Sequence, residues 1–328
     1  MNIDLKRELA RIKNKIDEEI IKFSTSLEAP SELVKASFHL IKSGGKRIRP
    51  FLLIKSTELM GGSEEDALPA AVAIELLHNF TLIHDDIMDR DEFRRGVKTT
   101  HVVFGEPLAI IAGDFLFSNV FTILANSYDS VTACKLIKIF SDASNLICMG
   151  QTMDILPDKY ILTNEDYFRM VYWKTGALIE AACKSGGVIA GATDREIEIL
   201  SMFGRKAGIA FQIADDLLGV IGDPAITGKP VGSDIRNGKK TLLVLYTLNK
   251  LSNSDREYFL KVFGNENASD EDIKRVIKLM EETGVFEYAR EYMENLIKEA
   301  ISYLRKLPPN EARDYLEEMA KYIIYRSK

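Results

Sequence analysis

Asp85, Asp86 and Asp89 close the run from Glu75 to Gly96, Arg94 and Arg95 follow within a few residues, and a second pair, Asp215 and Asp216, comes 215 − 85 = 130 residues later. Leu76, Leu77, Phe80, Ile83, Ile87 and Met88 recur at helical spacing, so the first three aspartates occupy the last turn of a buried helix. That placement is unfavourable. Like charges four apart repel, and carboxylates at a helix C-terminus meet the negative end of its dipole. A divalent hard cation compensates: Mg²⁺ takes oxygen from one or two carboxylates and completes its octahedron with water and phosphate oxygens. Arg94 and Arg95 are suited to grip such a phosphate through paired hydrogen bonds. A solvated acidic helix end is the alternative for an isolated Asp-Asp-x-x-Asp. The arginine pair and the second acidic cluster favour the metal.

Asp215 and Asp216 also end a helix, in Phe211-Gln212-Ile213-Ala214-Asp215-Asp216-Leu217-Leu218-Gly219. Carboxylates projecting inward from facing helices of a bundle build polynuclear metal sites. The cations offered around such a bundle mouth, Lys46, Arg47, Arg49, Arg94, Arg95, Lys174, Lys229 and Lys239, exceed what a metal needs and suit anionic phosphates. A diphosphate bridged by Mg²⁺ and held by Lys and Arg is a good leaving group, because charge developing as the C–O bond breaks is stabilised. His39, His78, His84 and His101 lack H-E-x-x-H spacing, and neither G-x-S-x-G nor a P-loop occurs. Covalent acyl transfer and P-loop chemistry are therefore not indicated. His84, His101 and Trp173 read as structural, and Gln151 and Asp154 as rim residues.

The elements that must position these groups are helices. Residues 3–24 carry Leu5, Leu9, Ile12, Ile16 and Ile20 on one stripe. A second helix opens at Pro30-Ser31 and ends at Gly44-Gly45; a third runs from Pro50 to Gly61-Gly62; Ser63 and Asp66 cap the aspartate helix. Further helices are expected from about Glu106 to Asn126, from Ser130 to Leu156, from Thr163/Asp166 through Trp173, Lys174 and Thr175, and from the capping box Thr193-x-x-Glu196 to Gly219. A Gly/Pro-rich loop, Gly222 to Gly238, precedes about four more. No alternating pattern bounded by hairpin signals is found. The fold class is all-α, one domain over residues 1–328.

The chain has 328 residues, 46% hydrophobic, enough for a substantial core, and a net charge of −6 that does not suggest nucleic-acid binding. No basic-then-apolar leader and no run of about 18 uncharged apolar residues is seen, which points to the cytoplasm without a membrane span. Cys134, Cys148 and Cys183, without C-x-x-C spacing, read as small core residues rather than a disulfide framework or zinc site.

In order along the chain stand Gly44-Gly45-Lys46-Arg47-Ile48-Arg49-Pro50, the first aspartate motif with Arg94-Arg95-Gly96, Gly150-Gln151, Lys174-Thr175-Gly176, Phe211-Gln212 with the second motif, Gly228-Lys229-Pro230, Gly238-Lys239 and a basic tail to Lys328. This series resembles the trans-type polyprenyl diphosphate synthases, most like archaeal short-chain geranylgeranyl and farnesyl diphosphate synthases. The resemblance implies the isoprenoid synthase helical bundle around a deep central cavity. It implies Asp85, Asp86, Asp89, Asp215 and Asp216 as carriers of Mg²⁺, three ions per site, on an allylic diphosphate gripped by Arg94, Lys174 and Lys229 with Lys239 beside them. Lys46, Arg49, His78 and Arg95 would bind isopentenyl diphosphate, and the tail around Arg326 would close over it. Thr175 and Gln212 would stabilise the allylic cation with their dipoles. Gly219 stands where the second motif usually has its third acid; Asp223 is a substitute.

Thr81 and Leu77 lie below Asp85 on roughly one helix face, at about 100° per residue, and should line the pocket into which the product grows. Phe80 lies off that stripe, but the family uses the fifth position before the first aspartate as a floor. A single aromatic there resembles the pattern for a geranylgeranyl product, with farnesyl left open; Phe80 as plain core is the alternative. The resemblance also implies a homodimer. The rivals are a terpene cyclase of the same fold, against which the Gly-Gly-Lys-Arg block argues because a cyclase has no second diphosphate to hold, and a non-catalytic partner subunit, which predicts damaged aspartates or basic residues.

Overall fold

The computed structural model describes residues 3–222 and 231–325. The chain is built from helices, as expected, and its residues group into two compact units.

The first unit comprises Met1–Asp142, Ala181–Ser201 and Leu307–Leu316. At its centre is the helix Glu64–Met88, packed on Ile48–Leu59 and on Glu106–Ser127. Ala67, Ala70, Ala71, Val72, Ala73, Ile74, Leu76 and Leu77 are buried on every side of it, which is what an apolar helix with small residues permits. Ser63 and Asp66 form the expected capping box, each satisfying the other's backbone N–H. The helix Leu5–Ser26 lays Ile12, Ile16 and Ile20 into the core, as the spacing predicts. The third helix begins at Ile48, two residues before the Pro50 start expected.

Pro69 sits inside the aspartate helix, where a proline ring crowds the preceding turn. The Tyr128 hydroxyl lies against this turn: it accepts from Ala70 N (3.1 Å) and donates to Asp66 O (2.8 Å), the donor and acceptor of one helical turn. At the other end His84 Nε2 lies 3.1 Å from Ile110 O, over Gly113, where any Cβ would strike the imidazole. Glu64–Met88 and Glu106–Ser127 are thus an antiparallel pair pinned at both ends. By length and composition each is long and apolar enough to cross a bilayer, although no run of uncharged apolar residues stands out in either sequence. A cavity of about 460 Å³ among Phe23, Leu68, Val72 and Ile123 lies at the Glu64 end, remote from the aspartates.

The second unit comprises Ala143–Glu180, Met202–Lys306 and Glu317–Lys328. It takes the end of Ser130–Ile155, the helix Asn164–Val171, most of Asp194–Ile221, and Leu242–Lys250, Asn253–Val262, Asp270–Glu282 and Val285–Leu304. The capping boxes at Thr163/Asp166 and Thr193/Glu196 both form. Beyond Val171 the helix widens into a single π-turn, Tyr172–Gly176, before continuing as Ala177–Ile189; such insertions concentrate at functional sites.

Three expectations are corrected. A two-residue hairpin, Phe93–Arg94 with Val97–Lys98, does occur; Arg95 and Gly96 both take positive φ (54° and 77°), the turn that matches strand twist, but the strands are too short to show alternation. Of the cysteines only Cys183 is buried, since Cys134 and Cys148 fall on outer positions of Ser130–Ile155. The Asp194 helix runs on to Ile221, so Gly219 does not end it.

Tyr128→Phe should destabilise the protein by about 0.5–1.5 kcal/mol, because Ala70 N and Asp66 O lose their bridge in a half-buried turn. Urea unfolding would measure this, and an unchanged midpoint would show the wedge to be dispensable.

Candidate active site

The first acidic cluster and its cations belong to the first unit. Adjacent helix residues point about 100° apart, and the three aspartates divide accordingly. Asp85 and Asp89, one turn apart, share the accessible side, whereas Asp86 is fully buried. Arg94 Nε donates to Asp86 Oδ1, and Arg94 Nη2 lies 3.9 Å from Asp85 Oδ2 and 3.7 Å from Asp91 Oδ2. Asp86 Oδ2 is buried and accepts no hydrogen bond. Burial pushes the Asp86 carboxyl up to about 6, with Arg94 acting in the opposite sense. The five assigned carboxylates are therefore not equivalent: Asp86 anchors Arg94 first of all.

The Gly-Gly-Lys-Arg-x-Arg-Pro loop is similarly divided. Arg47, counted in sequence among the cations of the mouth, turns inward: Nη1 donates to Glu75 Oε1 (2.7 Å), Nε to Asp17 Oδ1 (2.7 Å) and Nη2 to Ile41 O (2.7 Å). Glu75 is held in turn by Asn79 (3.1 Å). The backbone at Arg47 is left-handed, φ 52°, so Lys46 and Arg49 leave the loop on either side of a fixed point. Arg95 Nη1 donates to Gly44 O and to Leu40 O, tying the arginine hairpin to this loop. His78 lies among them, and burial with the charges of Arg49, Arg95, Arg94 and Arg47 holds it well below the usual imidazole range. It is a neutral donor or acceptor. Of the proposed floor residues, Leu77 is buried, Thr81 Oγ1 donates to His78 O, and the Phe80 ring meets His84 (4.8 Å) and Phe117 (4.9 Å), which meets Phe121 (5.1 Å).

The second cluster belongs to the second unit. Gly150 and Gly208 let two helices close on the π-turn: a Cβ on Gly150 would lie 2.4 Å from Lys174 N, and one on Gly208 2.6 Å from Gly176 Cα. Lys174 Nζ, thus placed, pairs with Asp154 Oδ2 at 2.5 Å. Thr175 Oγ1 donates to Gln212 Oε1 (2.7 Å), and Gln212 Nε2 donates to Asp216 Oδ1 (2.9 Å). Asp216 Oδ2 accepts from the Tyr167 hydroxyl at 2.5 Å. The pattern of the first cluster recurs: Asp215 is partly accessible, Asp216 is buried with both oxygens engaged. Burial pushes Asp216 up to about 7 against those two hydrogen bonds.

Two residues escaped sequence reasoning. Tyr167 reads as a core aromatic, and only the fold brings its hydroxyl to Asp216. A Cβ on Gly219 would fall 2.0 Å from Asp234 Oδ2, so the space of the missing third acid is filled by a carboxylate from the short helix Ser233–Arg236, with Lys239 Nζ 3.6 Å away. The signal was available in Gly219 itself, an acid position emptied of its side chain. Lys229, Asp223 and Arg326 lie outside the described residues.

The comparisons follow this geometry. The polyprenyl synthetase family model matches residues 30–280, and the chain belongs to that family. It is 45% identical over 279 residues to a short chain isoprenyl diphosphate synthase of Methanocaldococcus jannaschii, covering 85% of this chain and 84% of that one. The crystal structure of a geranylgeranyl pyrophosphate synthetase from Pyrococcus horikoshii superposes with a TM-score of 0.91 at 44% identity, over 98% of this chain and 99% of that chain. A geranylgeranyl pyrophosphate synthase from Corynebacterium glutamicum, solved with isoprenyl diphosphate and magnesium, gives a TM-score of 0.88 at 28% identity, over 99% and 100%. The expected family and the all-α isoprenoid synthase fold are those of the chain.

Mg²⁺ fits the residues present. The donors are all hard oxygens, and Asp85 and Asp89 form an accessible pair one turn apart. Among the described residues no three carboxylate, His or Cys groups converge on one point.

The raised Asp86 carboxyl fixes a sign. Between its usual 3.8 and about 6 the folded chain keeps a proton that the unfolded chain releases, so this contribution favours folding at low pH and is lost as pH rises through about 6. In metal-free protein, Asp86→Asn should therefore gain stability relative to wild type between pH 4 and pH 7. Urea unfolding at both pH values measures the gain; parallel curves would mean that Asp86 titrates normally.

Proposed function

We propose that the protein is a Mg²⁺-dependent short-chain trans-prenyltransferase. It condenses isopentenyl diphosphate with allylic diphosphates (dimethylallyl, geranyl, farnesyl) head to tail, giving geranylgeranyl diphosphate with farnesyl diphosphate as a second product. The observation that carries this reading is the repeated aspartate pair, each with its leading carboxylate presented and its second buried on a fixed donor, in a chain of this family. The family match runs through both compact units, which supports one functional domain.

On this reading Asp85, Asp89 and Asp215 hold Mg²⁺, three ions per site, on the allylic diphosphate. Asp86 and Asp216 act from behind, fixing Arg94 and Gln212. Bound Mg²⁺ supplies neutralisation of the charge that collects on the departing diphosphate. Arg94, Lys174, Lys229 and Lys239 grip the same group. Lys46, Arg49, Arg95 and neutral His78 hold isopentenyl diphosphate so that its double bond faces C1 of the allylic cation. The C–O bond breaks, the new C–C bond forms, and the proton at C2 of the isopentenyl unit leaves to the pyrophosphate. Thr175 and Gln212 turn oxygen toward the cation while it exists. Leu77 and Thr81 line the tail pocket, and Phe80 closes it, backed by Phe117 and Phe121. Ile110 and Ile111, exposed on Glu106–Ser127, support a homodimer. The setting is the cytoplasm.

The first test is product length from labelled isopentenyl diphosphate with each allylic starter, with Mg²⁺ and with EDTA. Mg²⁺-dependent C20 is expected from all three; no condensation would point to a partner subunit. Asp85→Ala and Asp215→Ala should each lower kcat by on the order of a hundredfold or more with the fold retained, and a wild-type rate in either would remove that residue from the metal site. Phe80→Ala should lengthen the product, and an unaltered chromatographic profile would place the floor elsewhere.

A further inference from the structure

A dipole can steady a carbocation only when its sign is fixed. A threonine hydroxyl rotates, and a glutamine amide presents oxygen or nitrogen with nearly the same shape. Thr175 and Gln212 thus need something that decides which atom each presents, and the buried neighbours of Gln212 supply it. Ionised Asp216, the form that the Tyr167 and Gln212 donors favour, only accepts. The Gln212 group facing it at 2.9 Å must be the NH₂, so Oε1 faces the other way, 2.7 Å from Thr175 Oγ1, and Thr175 must donate. The threonine proton is then committed, and its oxygen lone pairs remain.

The direction of the whole chain depends on Asp216 staying where it is. It is buried, and its second oxygen is occupied by Tyr167, a fully buried side chain on Asn164–Val171 whose hydroxyl donates at 2.5 Å. Without that hydroxyl, Asp216 Oδ2 would be a buried acceptor with no donor, at a cost relieved by rotating the carboxylate away from Gln212. We infer that Tyr167 is a positioning residue for the condensation: by holding Asp216 it fixes the Gln212 amide, so that Thr175 and Gln212 both present oxygen to the allylic cation. This rests on the role proposed above for Thr175 and Gln212. Tyr167 itself touches neither substrate nor metal.

The test compares two Mg²⁺-bound allylic probes by calorimetry: an ammonium analogue of geranyl diphosphate, with protonated nitrogen in place of the cationic carbon, and neutral geranyl S-thiolodiphosphate. Tyr167→Phe should weaken the ammonium analogue roughly tenfold and leave the neutral one within about twofold, the scale of one misaligned hydrogen bond. kcat should fall while the Mg²⁺ requirement and the KM for isopentenyl diphosphate hold. Equal weakening of both probes, or none, overturns the inference. Tyr167→Phe/Gln212→Leu should lose no more than Gln212→Leu alone, since Tyr167 acts only through Gln212; additive losses overturn it as well. Should Tyr167→Phe melt, Asp216→Asn serves: it keeps the volume but can donate to Gln212, and must show the same selective loss. Wild type that binds neither probe and condenses no substrate defeats the functional reading itself, whereas wild type that prefers the ammonium probe, with Tyr167→Phe unchanged, defeats only the role of Tyr167.

Discussion

The first unit depends on one buried cation. Arg47 is only about 3% exposed, and its guanidinium spends its donors on Glu75, Asp17 and the carbonyl of Ile41. A charge so placed is tolerated only when every partner is in position, and removing one partner of such a pair typically costs about 3–5 kcal/mol. The fork therefore locks three segments at once: the Leu5–Ser26 helix through Asp17, the aspartate helix through Glu75, and the end of Ser31–Lys42 through Ile41. The left-handed backbone at Arg47 fixes the loop there, with exposed Lys46 before it and buried Ile48 after it. Arg90 and Arg95 also take positive φ, and among the described residues these three are the non-glycine positions that do. Arg90 and Arg95 follow the first acidic cluster and Arg47 pairs with Glu75 on the same helix, and backbone strain of this kind persists only where surrounding contacts over-determine it.

The aspartate pairs follow from the same economy of geometry. Two adjacent helical carboxylates cannot face one ligand, because they diverge by about 100°. The chain uses the divergence: the leading residue faces outward, and the second turns into the protein, where its charge organises an arginine at one end and a glutamine at the other. The price is desolvation, visible in the raised carboxyls of Asp86 and Asp216.

Much of this was legible in the sequence because it is local. Capping boxes at Ser63/Asp66, Thr163/Asp166 and Thr193/Glu196 announce helix starts through two reciprocal hydrogen bonds, and the Ile12, Ile16, Ile20 stripe announces a buried face. The basic and acidic blocks announce phosphate and metal chemistry by type alone. What could not be read is non-local or sub-helical. Nothing in the sequence separates Asp85 from Asp86 by burial, or turns Arg47 inward while Lys46 stays exposed. Tyr167 meets Asp216 across 49 residues, and Asp234 fills the space over Gly219 from another element. The π-turn at Tyr172–Gly176 adds one residue to one turn, too small an irregularity to disturb the apolar period.

The hydroxyl wedge of Tyr128 bears on how the chain acquires this structure. At the start of the aspartate helix Ala70 N and Asp66 O both hydrogen-bond to an oxygen that lies 58 residues from Ala70 and 62 from Asp66. Its first turns gain this partner only when Glu106–Ser127 arrives with Tyr128 at its end, which couples the two helices as one cooperative folding element.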